Sequence, residues 1–163
     1  MTSAHQVTLI GDDLLDQTSH EARRSARSRK NLNFHPAEDA PCNRLLNAVE
    51  PGSYVQPHRH LDPAKDETFI VLRGAFGLVL FDDEGTVTRA VLLRAGGNLV
   101  GANVPHGVFH TVLSFEPGSV FFESKAGPYR PLADEERAQW APKEGETSVP
   151  AFMTKLESYF DRG

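Results

Sequence analysis

The feature that most constrains this chain is its texture between residues 44 and 127. Short runs rich in β-branched and aromatic residues alternate at close intervals with turn chemistry. The runs are RLLNAVE, SYVQPHRH, ETFIVLRG, AFGLVLFD, TVTRAVLL, GNLVGANV, GVFHTVLSF and SVFFESKAG. Pro51-Gly52, Asp82 to Gly85 and Glu116-Pro117-Gly118 supply the turns. Eight short strands in so little chain fit an all-β jelly roll, where two sheets fold together and limit exposed edges. At 163 residues and 39% apolar content, the chain is expected to form one domain with a real core.

The flanks read differently. Residues 12–28 carry a thin apolar stripe of Leu14, Leu15, Thr18, Ala22 and Ala26 at helical spacing. KNLNFHPAEDAPCN then reads as an irregular connection. After Gly127 the chain is polar and Pro-rich, and Trp140 is expected to pin this tail to the barrel. AFMTKLESYF puts Phe152, Leu156, Tyr159 and Phe160 on one helical face, with Pro150 in its first turn. That face is expected to pack on its own barrel or on a partner. The organisation is therefore an N-terminal helix and connection (1–43), a barrel (44–128), and a tail with a short helix (129–163).

Composition narrows the function classes. The single cysteine, Cys42, rules out an internal disulfide and fits a reducing compartment. It reads as a buried or half-buried structural thiol. A net charge of -5 argues against general nucleic-acid binding. The basic run RRSARSRK (23–30) is either a solvated, partly helical face or a clamp for an anion such as a sugar phosphate. No window is apolar enough for a membrane-spanning helix, and the N-terminus lacks a secretory pattern, so a cytoplasmic protein is expected.

His58 and His60 carry the chemistry. At i and i+2 on a strand their rings share one face, with Cα atoms roughly 6.5 Å apart. Two imidazoles at that spacing can converge on one ion, because metal–nitrogen bonds are only about 2.0–2.1 Å long. Glu67 opens the next strand and shares its face with Phe69 and Val71, so it points inward and needs a cationic partner. Asp62 continues the parity of the histidines and is the rival ligand; Glu67 is preferred because Pro63 diverts the strand. His110 shares a face with Val108 and Val112 and joins the set. Three histidines and a carboxylate suit Fe, Mn, Ni, Zn or Cu as a divalent ion.

Around this set, His106 lies in the turn before the last histidine strand and is the candidate acid–base group. The segment with Arg29, Asn33 and His35 is expected to close over the pocket and meet substrate oxygens. Lys65 and Arg59 flank the site as possible anion contacts, with Arg59 facing outward on parity. Tyr54, Phe69 and Phe81 read as core or cavity wall. His5 and His20 read as surface residues.

Gly52-x5-His58-x-His60-x6-Glu67-x6-Gly74 resembles the first cupin motif, and Pro105-x-Gly107-x2-His110 resembles the second. The six-residue spacer before Glu67 is longer than is usual in that motif. RLLNAVEPGSYVQPHRHLDPAKDETFIVLRG, LFDDEG, KAGPY, WAP and the upstream KNLNFH are similar to the WbuC-type cupin fold metalloproteins. The resemblance implies a double-stranded β-helix with an N-terminal helical segment and a short C-terminal helix. It also implies a metal held by His58, His60, Glu67 and His110, and a context of bacterial surface polysaccharide (O-antigen) biosynthesis.

Two classes of function follow. One is a metal-dependent enzyme acting on a small polar ligand, a carbohydrate or sugar nucleotide first, by isomerisation or epimerisation; with Fe(II), dioxygenase chemistry replaces it. The other is a non-catalytic small-molecule-binding or regulatory module. A homodimer is expected, with no nucleic-acid or membrane partner.

Overall fold

The computed structural model describes residues 7–160, and His5 lies outside them. The element order is α1 (Asp12–Arg24), β1 (Arg29–Asn33), β2 (Cys42–Val49), β3 (Glu67–Arg73), β4 (Ala75–Phe81), β5 (Val87–Arg94), β6 (Gly101–Val104), β7 (Phe109–Ser114), β8 (Val120–Ala126) and α2 (Val149–Glu157). A short 3-10 turn covers Asp134–Glu136. The strands form two antiparallel sheets, ordered β1-β2-β8-β3-β6 and β5-β4-β7. This is the expected all-β jelly roll, with a helix at each end.

Layering explains the burial pattern of each strand. Between the sheets, Val49, Phe69, Val71, Phe76, Leu78, Leu93, Val104, Val112 and Phe121 form the central core. Outside the five-stranded sheet, Leu46, Ala48 and Val120 meet Leu15 and Ala22 of α1. Outside the other sheet, Val79, Phe81, Phe109 and Leu113 meet Ala138, Ala141, Met153 and Leu156 of the tail and α2. β7 is covered on both faces and is buried throughout. β3 alternates buried and exposed residues, because its outer face is open to solvent.

Three elements differ from the sequence reading. SYVQPHRH is not a laddered strand. His58 makes two isolated bridges, one to Arg137 and one to His110, with which it exchanges backbone hydrogen bonds at 3.0 and 2.9 Å. Pro57 has no N–H to continue the ladder, and its carbonyl instead accepts from Ala138 of the tail at 2.9 Å. Residues 29–33, read as part of a basic run and a connection, are an edge strand paired with β2. The first helix stops at Arg24 rather than 28. Beyond it Ser25 is extended, and its hydroxyl accepts from the Arg27 N–H at 3.2 Å, while Ser28 takes a positive φ of 52°. Ala26 is accordingly exposed.

Two smaller expectations also change. Cys42 is exposed, because it begins β2 at a position whose side chain points away from the core. α2 packs on its own barrel through Met153 and Leu156, while Tyr159 is 44% exposed. The helix ends at Glu157, and the turn after it rotates Tyr159 off the apolar face.

Trp140 packs the tail as expected, with its ring centroid 4.8 Å from Phe81 and 5.7 Å from Phe109. Gly85 makes this possible. Its φ is +87°, and a Cβ there would lie 2.5 Å from the indole. Gly85→Ala is expected to cost about 1–2 kcal/mol from the left-handed backbone alone and to shift Trp140 fluorescence to longer wavelength as the tail is displaced. An unchanged emission maximum would show that the tail does not depend on this turn.

Candidate metal centre and its cavity

The site is built where the two sheets and the tail meet. β7 brings in His110 and the segment bridged to it brings in His58. The tail clamps that segment from its other side: Arg59 N–H donates to the Glu136 carbonyl at 2.8 Å, and the Glu136 carboxylate accepts from Leu61 N–H at 2.9 Å. The His60 carbonyl accepts from Gly107 N–H at 2.7 Å. Glu67 arrives from the first position of β3, on the buried parity it shares with Phe69 and Val71.

Ligand atoms of His58, His60 and Glu67 lie within 4.8 Å of one another. His60 Nε2 sits 2.9 Å from Glu67 Oε2, and His110 Nε2 lies 3.8 Å from the same oxygen. The rings of His58 and His110 are 4.7 Å apart, centroid to centroid. Nδ1 of His58 faces the Gln56 carbonyl and Nδ1 of His110 faces the Val108 carbonyl, both at 3.0 Å. A carbonyl partner requires the proton on Nδ1, which leaves each Nε2 with its lone pair free. His110 Nε2 is buried with no hydrogen-bond partner among the described residues.

The electrostatics favour this form. Burial, reinforced by the neighbouring His110, pushes His58 down to about 3. Burial likewise lowers His110, against the pull of Glu67. Burial alone would raise Glu67, but the His60 hydrogen bond and the Lys125 ammonium hold its carboxyl well below the usual range. Two neutral imidazoles with free lone pairs, His60 and an ionised carboxylate are therefore packed together. The orphaned buried nitrogen beside them is a lone pair that a cation would satisfy. The donor set fits a divalent transition metal.

Three residues at this centre escaped the sequence reading. Lys125 Nζ lies 2.6 Å from Glu123 Oε1 and 3.7 Å from Glu67 Oε2. Asn47 Nδ2 donates to Glu123 Oε2 at 2.9 Å. Burial and the nearby Glu67 push Glu123 up, while Lys125 opposes the shift. Lys125 itself is raised: burial would lower it, but Glu123 and Glu67 outweigh that. The signal was present in β8, where Glu123 and Lys125 continue the inward parity of Phe121.

A cavity of about 280 Å³ opens beside the cluster. His58, Glu67 and His110 form its base, Glu123 and Lys125 one wall, and Arg137 of the tail another. Arg27 and Arg29 also line it, but both pair with Glu144 of the tail, at 3.0 and 2.9 Å. The Arg29 guanidinium further donates to the Tyr54 carbonyl at 2.9 Å. The anion clamp read into residues 23–30 is thus already filled by the chain's own carboxylate.

Other expected site residues fall elsewhere. His106 does not line the cavity; its ring and backbone N–H both meet exposed Asp66, at 2.9 Å. Lys65 is buried and donates to the Pro128 carbonyl at 2.8 Å, which removes it from ligand contact in the cavity. Asp62 is exposed, and its carboxylate accepts from Ala64 N–H at 2.9 Å in the turn made by Pro63. Arg59 packs over the Phe109 ring at 4.3 Å and pairs with Asp83, away from the cluster. Phe69 lines the cavity, whereas Tyr54 and Phe81 belong to the tail-facing core. Asn33 and His35 line a second, adjoining cavity of about 330 Å³. His20 is exposed.

Among solved structures, the chain is similar to several proteins at low identity. KdgF from Halomonas sp. is 20% identical with a TM-score of 0.49, over 63% of this chain and 82% of that one. A cupin-2 domain protein from Shewanella frigidimarina is 23% identical with a TM-score of 0.45, over 60% and 80%. A mutant oxalate decarboxylase from Bacillus subtilis is 15% identical with a TM-score of 0.48, over 63% of this chain and 26% of that one. No curated protein matches the chain. A family model does match residues 10–93, which run from the segment before α1 through β5 and include His58, His60 and Glu67. Because that match spans more than half of the sequence, the chain belongs to the family described as domain of unknown function DUF6016.

Proposed function

We propose that this protein is a metal-dependent cupin that isomerises or epimerises a small carbohydrate or sugar nucleotide. The WbuC-type resemblance suggests a place in bacterial surface polysaccharide biosynthesis. One observation carries the reading: His110 Nε2 is buried without a partner beside His58, His60 and Glu67, at the base of a charged cavity. These four side chains would hold the ion. Bound there, a divalent metal supplies Lewis-acid polarisation of a carbonyl.

The chain's own residues position the ligand set and bind the substrate. Tail residues from Glu136 to Ala138 keep the His58–His60 segment rigid, so the ligand nitrogens are set before substrate arrives. Arg137 reaches the cavity with its guanidinium bonded, among the described residues, only to the Leu132 carbonyl, at 3.3 Å, which leaves donors for an anionic or carbonyl oxygen. Lys125 places an ammonium on the same wall, held by Glu123. Half-buried Val55 and Leu132 provide the apolar lining against which a sugar ring can lie.

The test is hydrogen exchange at carbon. Protein loaded in turn with zinc, manganese, nickel, iron and copper is incubated with reducing sugars and sugar nucleotides in deuterium oxide. Deuterium is expected to enter the carbon next to the carbonyl with at least one metal, and His58→Ala is expected to abolish it. No incorporation with any metal and substrate would remove the isomerase reading and leave a binding module.

A further inference from the structure

We infer that the amide-lined cavity beside the metal cluster is a second subsite, which takes the neutral, hydroxyl-rich part of a saccharide whose other end lies at the cluster. The inference rests on the proposed metal site and extends it to a class of ligand. The argument starts from strand register. Glu67 pairs with Lys125, and Lys125 pairs with Asn43, so the three share one face in a row across β3, β8 and β2. The next rows place Phe69, Glu123, Leu45 and Asn33 together, then Val71, Phe121, Asn47 and Asn31. The inner face of the sheet therefore changes character along its width. Beyond Glu67 it is apolar under β3, charged at β8, and amide-rich at β2 and β1.

The second cavity lies over that amide-rich end. Asn31, Asn33, Asn43 and Asn47 line it, together with His35, Glu38 and Tyr129. It shares Asn31, Asn47, Glu123 and Lys125 with the cavity at the cluster, so the two adjoin along the Glu123–Lys125 strip.

Several groups here await a partner. Asn43 is only 2% exposed, and its Oδ1 accepts no hydrogen bond. An acceptor so deeply buried costs free energy unless a donor reaches it. Asn47 spends Nδ2 on Glu123, so its carbonyl oxygen is the part left to accept. His35 Nδ1 lies 3.1 Å from both the N–H and the carbonyl oxygen of Arg44, so Nε2 is the ring nitrogen left to meet a ligand. Tyr129 is 49% exposed, an aromatic ring open to stacking. Amide acceptors and donors, the exposed Glu38 carboxylate, one open aromatic ring and, among the described residues, no unpaired cation match hydroxyl groups rather than phosphate. Two strand spacings of about 4.8 Å separate Asn43 from Glu67. That span exceeds one pyranose ring, so a ligand touching both is an extended saccharide.

The probes are glucose, galactose, rhamnose, N-acetylglucosamine and lactose, titrated into chelator-stripped and zinc-loaded protein. The readout is the side-chain amide resonances of Asn31, Asn33, Asn43 and Asn47, with zinc content measured in parallel. At least one saccharide is expected to shift these resonances, lactose more tightly than either of its monosaccharides. Asn43→Leu is expected to weaken binding roughly tenfold, the size expected for one lost hydrogen bond at a buried acceptor. Should Asn43→Leu fail to fold, Asn33→Ala, at the exposed edge strand, gives the same comparison. Zinc uptake with no amide response to any probe overturns the subsite and leaves the metal reading standing. An amide response without zinc uptake removes the metal reading and keeps the saccharide cavity. Binding unchanged in both asparagine variants also overturns the subsite.

Discussion

Lys125→Met is expected to destabilise the metal-free protein by about 3–5 kcal/mol, the cost typical of breaking a buried charge pair by removing one partner. In a chain of this length that lowers the melting temperature by on the order of 10 °C. The reason is that one ammonium serves two buried carboxyl groups, 2.6 Å from Glu123 and 3.7 Å from Glu67. Methionine keeps most of the length and apolar volume of the lysine stem, so packing changes little. What is lost is the charge, and two acids are then left facing each other. The companion variant Lys125→Met with Glu123→Gln removes one acid along with the ammonium and is expected to recover a large part of the loss. Thermal denaturation of the two variants beside wild type decides it. A single variant within about 0.5 kcal/mol of wild type, the range of an ordinary surface change, would mean that Lys125 is not holding the acids together.

That lysine also marks the limit of what the sequence made legible. Strand parity alone was enough to turn Glu67 and His110 inward, because their neighbours Phe69, Val71, Val108 and Val112 are apolar and fix the face. The same parity turns Glu123 and Lys125 inward after Phe121, but two charged residues in succession on one face read naturally as a solvated edge. Only the three-strand register, which brings Glu67 opposite Lys125, shows that they neutralise each other. Register is a long-range property, and nothing local to SVFFESKAG encodes its partner strand.

The turn chemistry was legible, since Gly52, Gly85 and Gly118 all take the positive φ that their turns demand. The role of the tail was not. Its backbone partners for Pro57 and Arg59 lie some eighty residues away in sequence, so SYVQPHRH passed for an ordinary strand when it is a strap held between β7 and residues 136–138. His106 shows the opposite error. A histidine near a ligand strand suggested chemistry, but the turn that carries it projects outward to Asp66.

The metal itself provides the sharpest separation of these residues. Adding zinc or manganese to chelator-stripped wild type is expected to raise the melting temperature. A ligand present at a thousandfold over its dissociation constant stabilises the folded state by about 4 kcal/mol, which is again on the order of 10 °C here. Elemental analysis is expected to find one ion per chain. His58→Ala, His60→Ala and His110→Ala are each expected to abolish both the shift and the bound ion. Glu67→Gln removes the anionic donor but keeps its shape, so it is expected to weaken retention.

His106→Ala and Asp62→Ala are the informative controls. Both residues are exposed and engaged in surface turns, so both variants are expected to load like wild type. Loss of metal in Asp62→Ala would move the carboxylate ligand into the loop after His60 and require that loop to fold inward on binding. Full retention in all three histidine variants would mean that the buried Nε2 of His110 has some other partner than an ion. Retention in His110→Ala alone would confine the centre to His58, His60 and Glu67, the three whose ligand atoms already lie within 4.8 Å of one another. In that case the free lone pair of His110 would face the cavity beside the ion, placed to accept a proton from whatever binds there.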